Sequence, residues 1–308
     1  MIKYRQNRVA ESRLALAFAV VYGCIIWLAA GVITRAWWWQ FCLFAISTYL
    51  IIELNNHHAL IRIYSRMMSC SFIFLSCMNS HLFPSSSGAV LQLAVVAYYA
   101  FSFHTYQDRQ AAGFTFYSFL AIDIASLIEV RILYALPFCW LLMIVSYYSF
   151  SIRTFMASLL GLLTPYWMAG VYFLLLQDFN TPQHHFQPLW GNPFLFDYHQ
   201  LNVSEIFTYF TLTALGIIGI IHFLRDSYQD SVRIRMLYKG FIYSDLILMI
   251  LIPMMPQQAE WLLRIMIVNT SPLIAHFIAL THTRFSNILF HVIVILVLAL
   301  TLFHLYQP

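Results

Sequence analysis

Apolar residues fall in eleven long runs along the chain, at 14–33, 36–53, 67–83, 88–106, 113–130, 132–150, 155–177, 204–224, 240–255, 258–281 and 285–305. A stretch of roughly 17–25 apolar residues is what a helix needs to cross a bilayer, where it satisfies its own backbone groups without water. Strands of a membrane barrel would show short alternating segments instead, and none stand out. The pattern therefore predicts an all-α, polytopic transmembrane helical bundle of about eleven spans, a single transmembrane domain over residues 1–308. Runs 67–83 and 240–255 are the shortest, and a ten-helix alternative demotes one of them. Leu14–Gly31 is long and bulky toward its end, unlike the short core and small-residue cleavage site of a signal peptide. It reads as an uncleaved first helix.

Basic residues orient this arrangement, because cytoplasmic loops accumulate Lys and Arg. With eleven spans and a cytoplasmic N-terminus, thirteen of the sixteen lie inside: Lys3, Arg5, Arg8, Arg13, Arg62, Arg66, Arg109, Arg153, Arg225, Arg233, Arg235, Lys239 and Arg284. Arg35, Arg131 and Arg264 remain for the outer ends, and the C-terminus lies outside. Trp37, Trp38 and Trp39 beside Arg35 mark an interface. The expected location is the bacterial inner membrane, as a multi-pass protein.

Composition agrees. Hydrophobic residues make up 61% of the chain and charged residues 9%, against about 25% charged in a soluble domain. Too little charge is present to coat a water-facing surface. The net charge of +4 suits cytoplasmic loops against anionic lipid and gives no argument for a nucleic-acid partner. Five scattered cysteines without a C-x-x-C suggest neither a disulfide framework nor a zinc site. Two segments stand apart from the spans: an outer loop at 178–203, rich in Pro, His and aromatics, and a basic inner loop at 225–240.

Four groups of residues carry candidate chemistry. In the outer loop, Asp178, His184, His185, Asp197 and His199 offer imidazole and carboxylate donors. Their spacing matches no ligand motif, so no metal is predicted, and the plainer reading is a solvated loop folded against the bilayer. Asp123 lies mid-run in FLAIDIASLIEV. An acid there is costly in hydrocarbon, and it is either a proton or cation site or a buried hydrogen bond between helices. Asp245 raises the same question closer to the cytoplasmic end of its run. Finally, Glu129 with Arg131 and Glu260 with Arg264 sit at outer ends, the second pair at i,i+4. They form either plain ion pairs or a phosphate-binding site at the outer leaflet. The remaining histidines show no repeated ligand spacing, no Gly-rich phosphate loop or H-E-x-x-H occurs, and no cofactor is predicted.

The segment Phe114–Leu175, with its helical hairpin, the turn at Arg153-Thr-Phe and the following Gly-Leu-Leu-Thr-Pro-Tyr-Trp run, resembles inner-membrane proteins of Bacteroidota that form a family of unknown function. Arg5–Arg13 and Ala59–Arg66 fit the same resemblance, which covers about the first two-thirds of the chain. The hairpin pattern is also similar, more distantly, to membrane glycosyltransferases of GT-C architecture that use lipid-phosphate sugar donors. That likeness implies a catalytic carboxylate in the first outer loop. Here the loop is Thr34-Arg-Ala-Trp-Trp-Trp-Gln40, with no Asp or Glu, so a shared fold would imply a non-catalytic member or a different base. The leading expectation is a non-catalytic accessory or scaffold protein of the cell envelope, with the bilayer and other envelope proteins as partners. The alternatives are a GT-C-like transferase or polyprenyl-phosphate binder, and a secondary transporter using Asp123.

Overall fold

The computed structural model describes residues 4–177, 180–191, 198 and 201–306, and among them every regular element is helical. Thirteen α-helices follow in order: α1 (Arg5–Ala10), α2 (Ala15–Ala29), α3 (Trp38–His58), α4 (Met67–Met78), α5 (Ser86–Ser102), α6 (Ala112–Ser126), α7 (Leu136–Val145), α8 (Ile152–Leu175), α9 (Asn180–Phe186), α10 (Val203–Asp226), α11 (Val232–Met254), α12 (Ala259–Leu280) and α13 (Arg284–Tyr306). Each of the eleven apolar runs overlaps one of these helices. Six helical stretches among the described residues are long and apolar enough to cross a membrane: 86–105, 152–175, 203–229, 232–254, 256–280 and 284–306. Shorter apolar helices lie at 15–29, 67–78, 112–126 and 130–145.

Local sequence explains where several helices begin. Ser85 accepts a hydrogen bond from Gly88 N and opens α5; Ser231 accepts one from Ile234 N and opens α11. Ser151 with Thr154, and Asn202 with Glu205, form reciprocal caps at α8 and α10. Each cap satisfies a backbone donor that the helix itself leaves free.

The bundle is built around α12, which packs against α4, α5, α10 and α11. Nineteen of its 22 residues are buried. Helix α13 is the opposite case. Its buried residues Ser286, Ile293, Val297, Thr301 and His304 form one stripe, while Ile288, Val292, Ile295, Leu298 and Leu302 are exposed. Helix α8 likewise leaves Leu160, Leu163, Trp167, Met168 and Leu175 exposed. Apolar faces of this extent mark surfaces that meet a membrane or another protein, and together with the six long apolar helices they suggest association with a lipid bilayer.

Helix α1 closes one end of α12. Gln6 Nε2 donates to the Ile278 carbonyl at 2.7 Å and Asn7 Nδ2 to the Thr281 carbonyl at 2.9 Å. These bonds satisfy carbonyls that the last turn of α12 cannot satisfy itself. The segment 225–240, expected as a loop, is mostly helix: α10 runs to Asp226 and α11 starts at Val232. Arg233, Arg235 and Lys239 lie within the first two turns of α11, since long basic side chains reach water from a helical backbone.

Helix α10 approaches α12 at a glycine. A Cβ on Gly219 would lie 2.8 Å from the Leu273 backbone carbon, whereas one on Gly170, in α8, would meet nothing within 4 Å. Small residues permit this closeness. Gly219→Val is expected to cost about 2 kcal/mol, read as a lowered unfolding midpoint in detergent, with Gly170→Val close to wild type.

Candidate functional site

Several of the buried polar groups among the described residues lie along α12. At one end stands Arg264, 5% exposed. Its Nη2 donates to the Leu82 carbonyl and, at 3.4 Å, to the Ser85 carbonyl. Nη1 donates to Gln92 Oε1 at 3.4 Å, and Nε lies 3.8 Å from Glu260 Oε1. The guanidinium thereby ties α12 to the turn between α4 and α5. It faces a small cavity of about 20 Å³ shared with Gln40, Asn79 and Gln92, room for roughly one water.

At the middle of α12, Thr270 donates to Asp245 Oδ1 at 3.0 Å. Tyr99 donates to Asn269 Oδ1 at 2.7 Å, and its hydroxyl lies 2.7 Å from Ser244 Oγ. Asp245 is fully buried. Because α11 begins at Val232, Asp245 falls near the helix midpoint, rather than close to its cytoplasmic end as the apolar run suggested. Toward the other end, His276 Nε2 lies 3.0 Å from Asp230 Oδ2, both side chains having no exposed surface. Arg62 reaches Asp230 Oδ1 at 3.8 Å, and the His222 ring stands 5.3 Å from that of His276. Spacing along the chain concealed this cluster, since His276 and Asp230 are 46 residues apart. Among the described residues, no three His, Cys, Asp or Glu are placed to hold a metal ion.

Arg131 stands elsewhere. Its side chain is 35% exposed, with Nε 3.9 Å from Glu129 Oε1. It lines an apolar cavity of about 310 Å³ between α5, α6, α7, α11 and α12, with Val95, Ile122, Phe138, Leu248 and Ile265 among the walls. Tyr134, itself exposed, lines the cavity beside Arg131, and buried Tyr99 and Ser244 line its depth. Arg264 is not part of that lining. Arg131 and Arg264, two of the three arginines expected at the outer ends, therefore each keep a glutamate neighbour but serve different cavities.

Two candidates that the sequence left separate are brought together. Ser126 Oγ lies 3.2 Å from Asp123 Oδ1 and 2.8 Å from the Tyr166 hydroxyl. That hydroxyl is 3.3 Å from His185 Nε2. His184 is exposed and its Nδ1 approaches Gln187 Oε1 at 3.4 Å. Asp178, Asp197 and His199 lie outside the described residues.

The two arginine pairs differ in how far they are removed from water. Arg264→Met is expected to cost about 3 kcal/mol, because buried carbonyls lose their donor. Arg131→Met is expected to cost under about 1 kcal/mol, as for exposed ion pairs. Unfolding midpoints of the two variants check this contrast. Comparison with family models, curated proteins and solved structures finds no match to this chain.

Proposed function

We propose that the chain is an eleven-span inner-membrane protein, its N-terminus cytoplasmic and its C-terminus outside. In this reading it is an accessory protein of the cell envelope that holds an anionic lipid of the polyprenyl-phosphate type without transforming it. The observation carrying this reading is the 310 Å³ cavity, with its apolar walls and Arg131 in its lining. An apolar chamber with one cation fits an amphiphile whose tail is hydrocarbon and whose head is a phosphate. The guanidinium fork matches phosphate geometry. Its pairing with Glu129 at 3.9 Å is loose and about one-third exposed, so a phosphate can take Glu129's place at modest cost.

The non-catalytic part of the proposal rests on chemistry. A transferase of the GT-C kind needs a positioned base beside its donor phosphate. The first outer loop, residues 34–40, has no carboxylate, and among the described residues the cavity lining contributes none either. Glu129, the carboxylate beside Arg131, is not among the residues that line the cavity.

Binding of a polyprenyl phosphate to the purified protein is expected to weaken about tenfold in Arg131→Ala, equivalent to about 1.4 kcal/mol. The uncharged polyprenol should bind both proteins alike. Equal phosphate binding by the two proteins would remove the lipid from this reading and leave a scaffold held together by its buried polar ties.

A further inference from the structure

Asp123 is fully buried, and its Oδ2 has no hydrogen-bond partner. A carboxyl held in hydrocarbon with half its acceptors empty is costly as an anion and stable when it carries a proton. What surrounds it is a sequence of groups that can pass that proton on. Ser126, one turn along α6, places its hydroxyl 3.2 Å from Asp123 Oδ1 and 2.8 Å from the hydroxyl of Tyr166 on α8. Tyr166 reaches His185 Nε2 at 3.3 Å. His185 belongs to α9, and its ring is partly exposed. We infer that Asp123, Ser126, Tyr166 and His185 form a proton wire joining a buried carboxyl to the water at the α9 end of the molecule. The inference is independent of the lipid-binding reading.

The chemistry of each member suits this role. Serine and tyrosine hydroxyls donate and accept at once, so a proton enters on a lone pair while another leaves on the O–H. In the outward direction the Asp123 carboxyl gives its proton to Ser126 Oγ. Ser126 passes its own to Tyr166, and Tyr166 passes its own to His185 Nε2. The imidazolium so formed releases its Nδ1 proton to water. Each hydroxyl ends with one proton, no bond between heavy atoms changes, and the net event is one ionised carboxyl and one proton in water. The chain resets when the two hydroxyls rotate and His185 exchanges protons with water to recover an Nδ1–H and a free Nε2, and Asp123 regains its proton by the reverse transfer.

Packing holds the members in line. A Cβ on Gly161 of α8 would come 2.6 Å from the Phe116 carbonyl of α6, so the two helices are in close contact one turn from Tyr166. The Phe186 ring stands 5.1 Å from that of Tyr166 and seats α9 against α8. Elements packed against α6 bring few competing charges. On α5, Tyr98 faces the Phe119 ring, and the turn at Val130–Ala135 brings Arg131, whose neighbour is Glu129, and Tyr134. His104 stacks on Phe114 at the far end of α6. The alternative is a purely structural network, for Ser126 Oγ also lies 2.7 Å from the Asp123 carbonyl of its own helix.

Infrared spectroscopy of the full chain in lipid nanodiscs separates the two. The protonated carboxyl band removed by Asp123→Asn identifies the group, and its shift on transfer to heavy water times its exchange. Rapid exchange is expected in wild type, with loss of the fast phase in Tyr166→Phe, which keeps the ring and deletes only the hydroxyl. Ser126→Ala should behave the same way. Tyr209→Phe, whose hydroxyl bonds the Met249 carbonyl elsewhere in the bundle, should exchange like wild type. Unchanged exchange in both Tyr166→Phe and Ser126→Ala would overturn the wire. So would the absence, from acid to alkaline pH, of any carboxyl band that depends on Asp123.

Discussion

The structure depends on one constraint: the large polar side chains of the buried helix α12 draw their hydrogen-bond partners from neighbouring elements, because a polar group buried without a partner is costly. Arg264, Asn269, Thr270 and His276 answer it with partners from the α4–α5 turn, α5, α11 and the α10–α11 connection. Helix α1 adds bonds at the end of α12 through Gln6 and Asn7. In a bilayer there is little hydrophobic gain in pressing one apolar helix against another. Directed polar contacts of this kind therefore specify which helices are neighbours, and apolar packing then fills the spaces between them.

The same logic sorts the helices into central and peripheral. A helix that shows lipid a continuous apolar face, such as α13, has polar groups on one side alone, and its Thr301 and His304 lie on the buried stripe. Helix α12 has polar side chains distributed around its circumference and no face fit for lipid. The cavity beside Arg131 follows from this arrangement. It is lined by α5, α6, α7, α11 and α12, with the Tyr99–Ser244 contact in its wall.

Helix existence was legible from the chain because each of the eleven long apolar runs overlaps a helix, although among the described residues only six helical stretches are long and apolar enough to cross a membrane. Boundaries were less so. Charge marked 225–240 as a loop, yet basic side chains can extend to the headgroup region from a continuing helix, and this moved Asp245 toward mid-helix. Partners were the least legible. The i,i+4 pairing of Glu260 with Arg264 was visible locally, but the Leu82 carbonyl that Arg264 bonds is 182 residues away. The link from Asp123 to His185 runs through Ser126 and Tyr166, two ordinary residues of apolar runs with no motif to mark them. One signal was available in principle: Arg264, Asn269, Thr270, Ser271 and His276 cannot share a single helix face, so run 258–281 could not have met lipid.

The central functional claim is that the chamber beside Arg131 is a lipid site. An electron cryo-microscopy map of the protein in nanodiscs containing a polyprenyl phosphate tests it most directly. The account predicts elongated density between α5, α7 and α11, ending in a head group against the Arg131 guanidinium. A chamber closed by its own side chains, with Arg131 still held by Glu129, would contradict it.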